Sequence, residues 1–511
     1  MTSEQFGILA AIAVYLIAMV LVGVYFGRQG NSSTDAFYLG DRKLGPLVTA
    51  MSAEASDMSS WLLMGLPGLA YLTGVADAGW TAIGLAIGTY FNWLIVAKRL
   101  RRYSIACSAI TIPEFFSRRY RDDRNILMCI SAIMILIFFV PYTASGFKAV
   151  GTLFSSLFGA DYHAAMIIGA VVIVGYTVMG GFMAVSTTDL IQSIVMSVSL
   201  IVIVFFGIHT AGGWGAVMDN AGSLAGYLSM TLIHDPATGT SSPYSLISIF
   251  SMMAWGLGYF GMPHILLRFM AIEDENKLVL SRRIASVWVV ISMFVAILIG
   301  IIGRGISAAG VLETFSSSSE SETIIIRMSG LLGSNGLFLA VMAGVVLAGI
   351  LASTMSTADS QLLTAASSVS QNLLQDFLKI RLSAGAAMAA ARLTVIGIAL
   401  LSIFLAWDPD SSVFTIVSFA WAGFGASFGP IMLFSLFWKR TTFPGALAGM
   451  IAGGVMVFIW KYGVRPLGGA WNIYELLPAF LVASAAIILV SLATPAPSRE
   501  ICEEFDSIGK N

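Results

Sequence analysis

Residues 52–68 read SAEASDMSSWLLMGLPG and interrupt an apolar run that extends over about 46–73. Polar residues, Asp57 among them, stand near the middle of this run, at the depth of the bilayer centre. A carboxylate at that depth costs about 2.5–3.5 kcal/mol on insertion scales, so such residues usually face a cavity and have a function. Two glycines and a proline follow and allow the helix to loosen. An interrupted membrane helix of this kind predicts a transporter's binding site, where unwound backbone offers carbonyl oxygens to a small cation.

The composition of the chain is that of a polytopic membrane protein. Of its 511 residues, 57% are hydrophobic and 11% are charged, whereas about 25% are charged in a typical soluble protein. The formal net charge of -1 argues against nucleic acid as a partner. The three cysteines are scattered and provide no disulfide framework or metal motif. No cleavable signal peptide is expected, because the first residues carry no positive charge and the first apolar run is long enough to span a bilayer.

Apolar length predicts about thirteen membrane spans. They lie near residues 6–26, 46–73, 77–97, 125–155, 163–181, 188–210, 244–266, 282–303, 336–368, 387–407, 412–437, 442–461 and 474–494. The connecting segments are short, so we expect a single transmembrane domain over 1–494. The tail 495–511 is polar and is expected to be cytoplasmic and poorly ordered.

Lysine and arginine residues predict the orientation. With the N-terminus outside, nearly all of them, from Arg28 to Lys510, fall on the inner side. The exceptions on the outer side are Arg304, Arg327, Lys461 and Arg465. Lys148 lies within a span and could extend its amine to the interface. The positive-inside rule therefore favours an external N-terminus and an internal C-terminus, and the basic segment 98–124 is expected to set this orientation and contact lipid headgroups.

A second interruption, WGLGYFGMPH at 255–264, lies five spans after the first one. It places three glycines and a proline where a straight helix is expected. A five-plus-five inverted repeat, about 46–210 against about 244–437, would bring the two interruptions together at the midplane. The predicted fold is therefore an all-α polytopic membrane protein with such a repeat and three additional spans.

The first candidate site consists of Ala55, Ser56, Asp57, Met58 and Ser59. Backbone carbonyls here could coordinate a cation, and hydroxyls could contact a substrate. The alternative is a polar patch that holds helices together. A carboxylic acid within the membrane favours the functional interpretation.

The second candidate site is the hydroxyl-rich part of the ninth predicted span, LASTMSTADSQ. The positions that share one helical face are Ser353, Ser356, Thr357 and Ser360. Their oxygens could bind Na⁺, although serine and threonine in membrane helices also bond their own backbone four residues earlier. The neighbouring Asp359 and Gln361 favour a functional role.

Four further residues, in three parts of the chain, are also candidates. Trp255 and Tyr259 share a helical face and could form a wall for a small organic substrate, although aromatic residues at this spacing usually pack. Tyr142 follows a proline that frees a carbonyl in its helix, and packing is its alternative. Asp189 could act in cation passage or gating, or could simply cap a helix in its first turn.

An enzyme is not expected. The four histidines lie far apart in the sequence, and no HExxH, GxSxG or phosphate-loop motif is present. The glycine-rich run at 256–261 follows no strand and lies in a predicted span, so it is not a dinucleotide fingerprint. We therefore predict no catalytic residues.

Four long segments resemble the sodium/solute symporter family, and most closely its bacterial sodium/proline members. They are residues 37–68, 256–271, 350–363 and 418–430, and the likeness extends from about Asp35 to Leu492. The resemblance implies a leucine-transporter-type fold with thirteen spans. It also implies a Na⁺ site between the first broken helix and the ninth span.

The resemblance assigns roles to individual residues. It implies backbone ligands for Na⁺ at Ala55, Met58 and Ser353, and hydroxyl ligands at Ser356 and Thr357. Asp57 would support cation binding. The positions that match those around proline are Ser59, Tyr142, Trp255, Tyr259 and Pro263. Arg42 matches an inner-loop arginine that matters for coupling.

The function that the resemblance implies is Na⁺-coupled uptake of L-proline across the bacterial cytoplasmic membrane by alternating access. Its expected partners are Na⁺, L-proline and membrane lipid, with no obligate protein partner. One alternative is another small amino acid or a carboxylate as the solute. A membrane sensor would need a long soluble domain after the last span, and an ion channel would need a repeated filter loop, so both are disfavoured.

Overall fold

In the computed structural model, residues 2–27, 34–179 and 181–509 are described. Most of them are helical, because backbone polar groups within a bilayer need partners inside the chain. The helices of the first part are α1 (Ser3–Gly27), α2 (Thr34–Leu39), α3 (Pro46–Ser60), α4 (Leu66–Thr73), α5 (Val75–Phe91), α6 (Ala97–Ala106), α7 (Ile112–Arg119), α8 (Ile126–Phe158), α9 (Tyr162–Met179), α10 (Phe182–Thr210) and α11 (Trp214–Ser223). Arg28 and Lys510, predicted on the inner side, lie outside the described residues.

The second part begins with a small antiparallel hairpin. Its strands are β1 (Leu232–His234) and β2 (Ser241–Pro243), with Ile233 opposite Ser242. The helices that follow are α12 (Leu246–Met253), α13 (Pro263–Ala271), α14 (Leu278–Ala308), α15 (Ser318–Ser321), α16 (Ile324–Gly333), α17 (Leu337–Ser367), α18 (Ala384–Leu405), α19 (Val413–Phe437), α20 (Phe443–Phe458), α21 (Leu476–Ala493) and α22 (Arg499–Gly509). The protein is thus mostly helical as predicted, with this hairpin as an addition.

Ten helical stretches of the described chain are long and apolar enough to cross a membrane. The count becomes eleven when Leu246–Gly261 and Pro263–Ala271, which are bent by 47° at their junction, form one span. The predicted spans 46–73 and 163–181 are not in this count: the first is polar and broken, and the second contributes a shorter apolar helix. Thirteen spans therefore remain a prediction.

Both interruptions pack against α5, whose Thr89 donates to Glu54 of α3 at 3.2 Å, and they contact each other. The second one is a 3₁₀ helix, Ala254–Gly261. A Cβ added to Gly256 would lie 2.1 Å from the carbonyl oxygen of Gly84 in α5, so only glycine permits this approach. The Tyr259 hydroxyl donates to Asp57 in α3.

The basic segment 98–124 is structured and packs against other parts of the chain. It contains most of α6 and all of α7. Arg101 is buried and donates to the Ile272 carbonyl at 2.8 Å, and the buried Arg119 donates to the Ser435 carbonyl at 3.1 Å. The prediction of a simple orientation signal was therefore incomplete, because these guanidinium groups satisfy carbonyls at the ends of other helices.

The expectation of a poorly ordered tail was wrong. The tail forms α22, which buries Phe505. The guanidinium groups of Arg99 and Arg119 lie 4.8 and 5.2 Å from the centre of the Phe505 ring. Arg121 pairs with Glu504 at 2.5 Å. An amphipathic tail helix thus finds apolar and charged partners on the basic segment, which its composition alone did not reveal.

Lys148 was also predicted incorrectly. Its side chain does not extend to an interface but is 1% exposed within α8. The amine donates to the Pro409 carbonyl at 2.7 Å and lies 5.7 Å from the centre of the Tyr162 ring. A carbonyl and an aromatic face within reach make the buried position tolerable.

Candidate functional site

The helix α3 is broken at Ser59. Its backbone angles there, φ 49° and ψ -170°, are far from helical values and are uncommon for any residue other than glycine. The Trp61 N–H, which would donate to the Asp57 carbonyl in a regular helix, instead donates to the Met58 carbonyl and the Ser59 hydroxyl. The break therefore frees the Asp57 carbonyl of α3 for another partner.

Two side chains from other helices bond to carbonyls of α3 near the break. The Ser356 hydroxyl of α17 donates to the Ala55 carbonyl at 2.8 Å. The Tyr142 hydroxyl of α8 donates to the Asp57 carbonyl at 3.0 Å. The break thus lies between α8 and α17, and the Asp57 carbonyl that it frees has a long-range partner in Tyr142, as a buried backbone group requires.

Four of the five predicted Na⁺ ligands lie in one cluster of oxygens. The Ser356 hydroxyl lies close to two carbonyl oxygens, that of Ala55 and, at 3.2 Å, that of Ser353. The Thr357 hydroxyl lies 3.1 Å from the same Ser353 carbonyl. All of these residues are buried. The Met58 carbonyl is placed only by its bond with Trp61. Backbone and hydroxyl oxygens are the ligands that a hard cation prefers.

The hydroxyl face of α17 combines both interpretations given above. Ser353 donates to the carbonyl of Ile350 at 2.8 Å, and Thr357 bonds the carbonyl four residues before it, so local backbone bonding is present. Ser356 alone among the three also reaches α3. Ser360 contacts Arg268 instead, at 2.5 Å. The face therefore serves two different clusters.

Asp57 is 5% exposed and accepts a hydrogen bond from the Tyr259 hydroxyl at 2.5 Å. Within the described part of the chain, no lysine or arginine forms an ion pair with this carboxylate. A buried carboxylate without a counter-charge is unfavourable. A cation bound at the neighbouring oxygens would supply that charge. The described residues contain no group of three or more His, Cys, Asp and Glu that could hold a metal ion.

A small cavity of about 10 Å³, the space of roughly one water molecule, lies next to this break. Its lining residues are Asp57, Met58, Trp61, Leu85, Tyr142, Trp255, Val417 and Trp421. Trp255 lies 5.4 Å from Trp61 and 6.3 Å from Trp421, between ring centres. Its lining of aromatic rings with one carboxylate has the chemistry that suits a small organic cation or zwitterion, and the cavity has to widen to admit one.

A second set of aromatic side chains packs behind Trp255. Tyr474 stacks on it at 5.0 Å with an angle of 19° between the rings, and Phe414 lies 5.4 Å away. The Tyr474 hydroxyl donates to the Ser418 carbonyl at 2.6 Å. Tyr474, from the segment before α21, therefore fixes Trp255 against α19.

The structure brings some of the predicted substrate residues to the cavity and leaves others outside it. Tyr142 and Trp255 line it. Tyr259 lies behind Asp57 and contacts it through its hydroxyl. Ser59 directs its hydroxyl to the Trp61 amide, and Pro263 is the first residue of α13; neither lines the cavity.

Sequence reasoning missed four lining residues. Trp61 lies within the stretch 52–68, and Trp421 lies in one of the four segments that carry the family resemblance. Both segments pointed to the site, but neither tryptophan was predicted to contact the substrate. Leu85 and Val417 carry no sequence signal, because apolar residues in membrane helices are ordinary.

Asp189 belongs to a buried charged network and is not a helix cap. It is the eighth residue of α10 and pairs with Arg268 of α13 at 3.0 Å. Ser52 of α3 donates to Asp189 at 2.6 Å and accepts from Arg268 at 2.9 Å. Ser360 of α17 completes the contacts of Arg268. This network joins four helices at the N-terminal half of α3, and sequence reasoning did not identify Arg268.

Arg42 lies where its guanidinium group reaches three carbonyls. It donates to the carbonyls of Met270 at 2.7 Å and Ala109 at 2.6 Å, and to that of Ser104 at 3.3 Å. Arg42 itself has a positive φ of 55°. Its side chain thus holds α13 and the segment after α6 together, away from the cavity.

The chain is similar to known transporters over nearly its whole length. A model of the sodium:solute symporter family matches residues 37–453. A sodium/proline symporter of Haemophilus influenzae is 41% identical over 98% of this chain and 97% of its own length. A sodium/proline symporter of Staphylococcus aureus is 38% identical over 97% of this chain and 94% of its own length.

Two solved structures share the fold. A Na⁺-coupled sialic acid symporter, in a substrate-bound outward-open state, has a TM-score of 0.78 at 16% identity and covers 96% of this chain and 99% of its own. A nucleobase-cation-symport-1 family transporter in a closed conformation has a TM-score of 0.55 at 14% identity, covering 92% and 98%. At these identities the likeness concerns the fold alone.

Proposed function

This chain belongs to the sodium:solute symporter family, and we propose that it takes up L-proline together with Na⁺. Its family and its relatives are transporters and not enzymes. The sodium/proline symporters that resemble it do so at 38–41% identity. The composition and the apolar helices make it an integral membrane protein, which we propose to lie in the bacterial cytoplasmic membrane.

The observation that carries this proposal is the position of Asp57 between two features. Its carboxylate lines the aromatic cavity, and its neighbour Ala55 contributes a carbonyl to the oxygen cluster on α17. A solute in the cavity and a cation in the cluster would therefore bind to the same broken helix. This arrangement gives each ligand a means of stabilising the conformation that the other one binds.

For Na⁺ we propose carbonyl ligands from Ala55, Met58 and Ser353 and hydroxyl ligands from Ser356 and Thr357. These two hydroxyls now donate to carbonyls of the same cluster. A cation that entered would turn the hydroxyl protons outward and receive the oxygen lone pairs. The negative charge of Asp57 would offset part of the hydration that the ion loses.

For L-proline we propose that the ring packs against Trp255 and the other aromatic walls. The secondary ammonium group would lie near Tyr142 and the Asp57 carboxylate, where an aromatic face contributes about 0.5–2 kcal/mol. The carboxylate would bind at the break, close to Ser59 and the backbone N–H groups there. Tyr259 would act through Asp57, and Pro263 would act by fixing the start of α13.

For the architecture we propose thirteen spans, with a five-plus-five inverted repeat over about 46–210 and 244–437. The contact between the two interruptions supports this repeat. The distribution of lysine and arginine supports an external N-terminus and a cytoplasmic C-terminus. The network of Asp189 with Arg268 and the separate contacts of Arg42, none of which line the cavity, would close the inner side in alternating access.

Proteoliposomes test the proposal. Labelled L-proline should accumulate when Na⁺ is imposed outside and should not do so when K⁺ replaces it. Accumulation of equal size with both cations would exclude Na⁺ coupling. No accumulation of proline, but Na⁺-driven uptake of another small amino acid or a carboxylate, would retain the transporter and replace its substrate.

A further inference from the structure

A groove of about 520 Å³ opens on the surface of the membrane domain between α10 and α14. One face of α14, from Arg283 to Val295, forms one wall, and the Ser197–Ile201 stretch of α10 forms the other. Met51 of α3 forms the floor and is 7% exposed. The groove therefore reaches inward to the broken helix itself.

The rim of the groove is apolar and exposed. Val287, Ile291 and Ile201 are 59%, 57% and 55% exposed. In a membrane these side chains contact lipid and not water. A long apolar depression of this kind is suited to an alkyl chain, because many weak contacts add up along it.

The length of the groove matches one leaflet of a bilayer. Residues 283 and 295 lie on one continuous helix, and a rise of 1.5 Å per residue places them about 18 Å apart. Half of the hydrocarbon core of a bilayer is about 15 Å thick. A groove that begins at headgroup level at Arg283 would therefore end near the bilayer centre, where an acyl chain ends.

A cationic side chain stands at the mouth. Arg283 is exposed, and among the described residues nothing forms an ion pair or hydrogen bond with it. The adjacent Arg282 points elsewhere, with its guanidinium group 5.4 Å from the centre of the Tyr90 ring of α5. Five residues further along α14, the Trp288 indole donates to the Ser197 hydroxyl of α10 at 3.0 Å and so connects the two walls of the groove. Arginine binds phosphate through a planar pair of donors.

We propose that this groove is a specific site for one anionic glycerophospholipid. Its phosphate would bind Arg283, and one acyl chain would lie along α14 as far as Val295. Met51 precedes Ala55 by four residues, so the bound chain would touch the helix face that leads to the cation cluster. The lipid would brace α3 against α10 and α14. This site depends on neither the identity of the solute nor that of the cation.

Native mass spectrometry of the purified full-length protein tests the site. The protein would be exposed to equal amounts of phosphatidylglycerol, which is anionic, and phosphatidylcholine, which is zwitterionic. We expect one phosphatidylglycerol to be retained in preference. Arg283→Gln should weaken its retention about fivefold, a typical contribution of one arginine at a membrane surface. Arg282→Gln removes the same charge outside the groove and should leave retention unchanged.

A second pair of variants tests the groove without changing charge. Ile291→Trp should fill the groove and lower phosphatidylglycerol retention, whereas Val290→Trp, at a neighbouring position that is 54% exposed but outside the groove, should not. Equal losses in both arginine variants, equal retention of both lipids, or no difference between the two tryptophan variants would each overturn the proposal. Should Arg283→Gln fail to fold, the tryptophan pair decides by itself.

Discussion

The Tyr259 hydroxyl lies 2.5 Å from the Asp57 carboxylate, although the two residues are 202 positions apart. Each belongs to a helix that is interrupted where a membrane helix is normally straight. The bond therefore ties the two interruptions together beside the aromatic cavity. A conformational change in one broken helix must therefore displace or strain the other.

Asp57→Asn should raise the Na⁺ concentration needed for half-maximal proline uptake by about tenfold or more, because interactions with a charged group contribute about 1.5–3 kcal/mol. Insertion and folding should survive, since the amide keeps the shape and can still accept from Tyr259. Uptake in proteoliposomes over a series of Na⁺ concentrations measures the effect. Glu54→Gln is a matched control, because Glu54 is a buried carboxylate of the same helix that bonds Trp93. An unchanged Na⁺ dependence in Asp57→Asn would make Asp57 structural.

Ser356→Ala and Thr357→Ala should each weaken Na⁺ binding, since each removes one oxygen ligand without adding volume. Ser367→Ala, in the same helix, should have little effect, because its hydroxyl bonds only the carbonyl of Thr364 at 2.8 Å. The apparent Na⁺ affinity of proline uptake compares the three variants. Equal and small effects at all three positions would assign the hydroxyl face to helix packing and remove the proposed cation site.

Trp255→Ala should weaken proline binding at saturating Na⁺, because it removes a wall of the cavity. Tyr259→Phe should weaken it through Asp57, which loses its hydroxyl donor. Isothermal calorimetry of purified protein measures both. Trp460→Ala is the control, since Trp460 packs on Trp471 away from the cavity.

The same calorimetry tests the coupling of the two ligands. If Na⁺ tightens proline binding by some factor, proline must tighten Na⁺ binding by the same factor. Proline should therefore bind much more weakly when K⁺ replaces Na⁺. Proline binding with equal affinity in both salts would show that the ligands are not coupled at this step.

Arg268→Gln should destabilise the protein strongly, because it leaves Asp189 buried without its partner, and breaking such a pair costs about 3–5 kcal/mol. The double variant Arg268→Gln with Asp189→Asn should be more stable than Arg268→Gln alone. Thermal unfolding in detergent measures both. If the loss of stability in the double variant equalled the sum of the losses in the two single variants, the two side chains would not interact energetically.

Phe505→Ala should release α22 from the basic segment. We expect faster proteolysis of the tail, since the ring is the one buried side chain of the described part of α22. Ser507→Ala provides the control, as its hydroxyl bonds only within α22. High salt should promote cleavage further, because the contact between Arg121 and Glu504 is partly exposed and is screened. Unchanged cleavage of Phe505→Ala would mean that the tail does not depend on this contact.

The sequence by itself determined the features that depend on local composition. Apolar runs determined which segments can lie in a membrane, since a bilayer core tolerates few charges. The positions of both helix breaks were also predicted, because Asp57 and the glycines around Tyr259 are unusual within otherwise apolar membrane segments. The spacing of Ser353, Ser356 and Thr357 predicted a shared face, since that follows from helical geometry alone.

Only the tertiary structure decided which of these residues meet. Arg268 neutralises Asp189 across 79 positions, and Trp421 of α19 reaches the Trp255 carbonyl across 166. Such contacts leave no periodic trace in the sequence, because either residue would look the same with any other partner. The tail was misjudged for the same reason: its helix is stabilised by Arg99 and Arg119, and a polar segment without its docking surface looks disordered. Local sequence patterns therefore predict the secondary structure and membrane location of a segment, whereas long-range packing determines which residues it contacts.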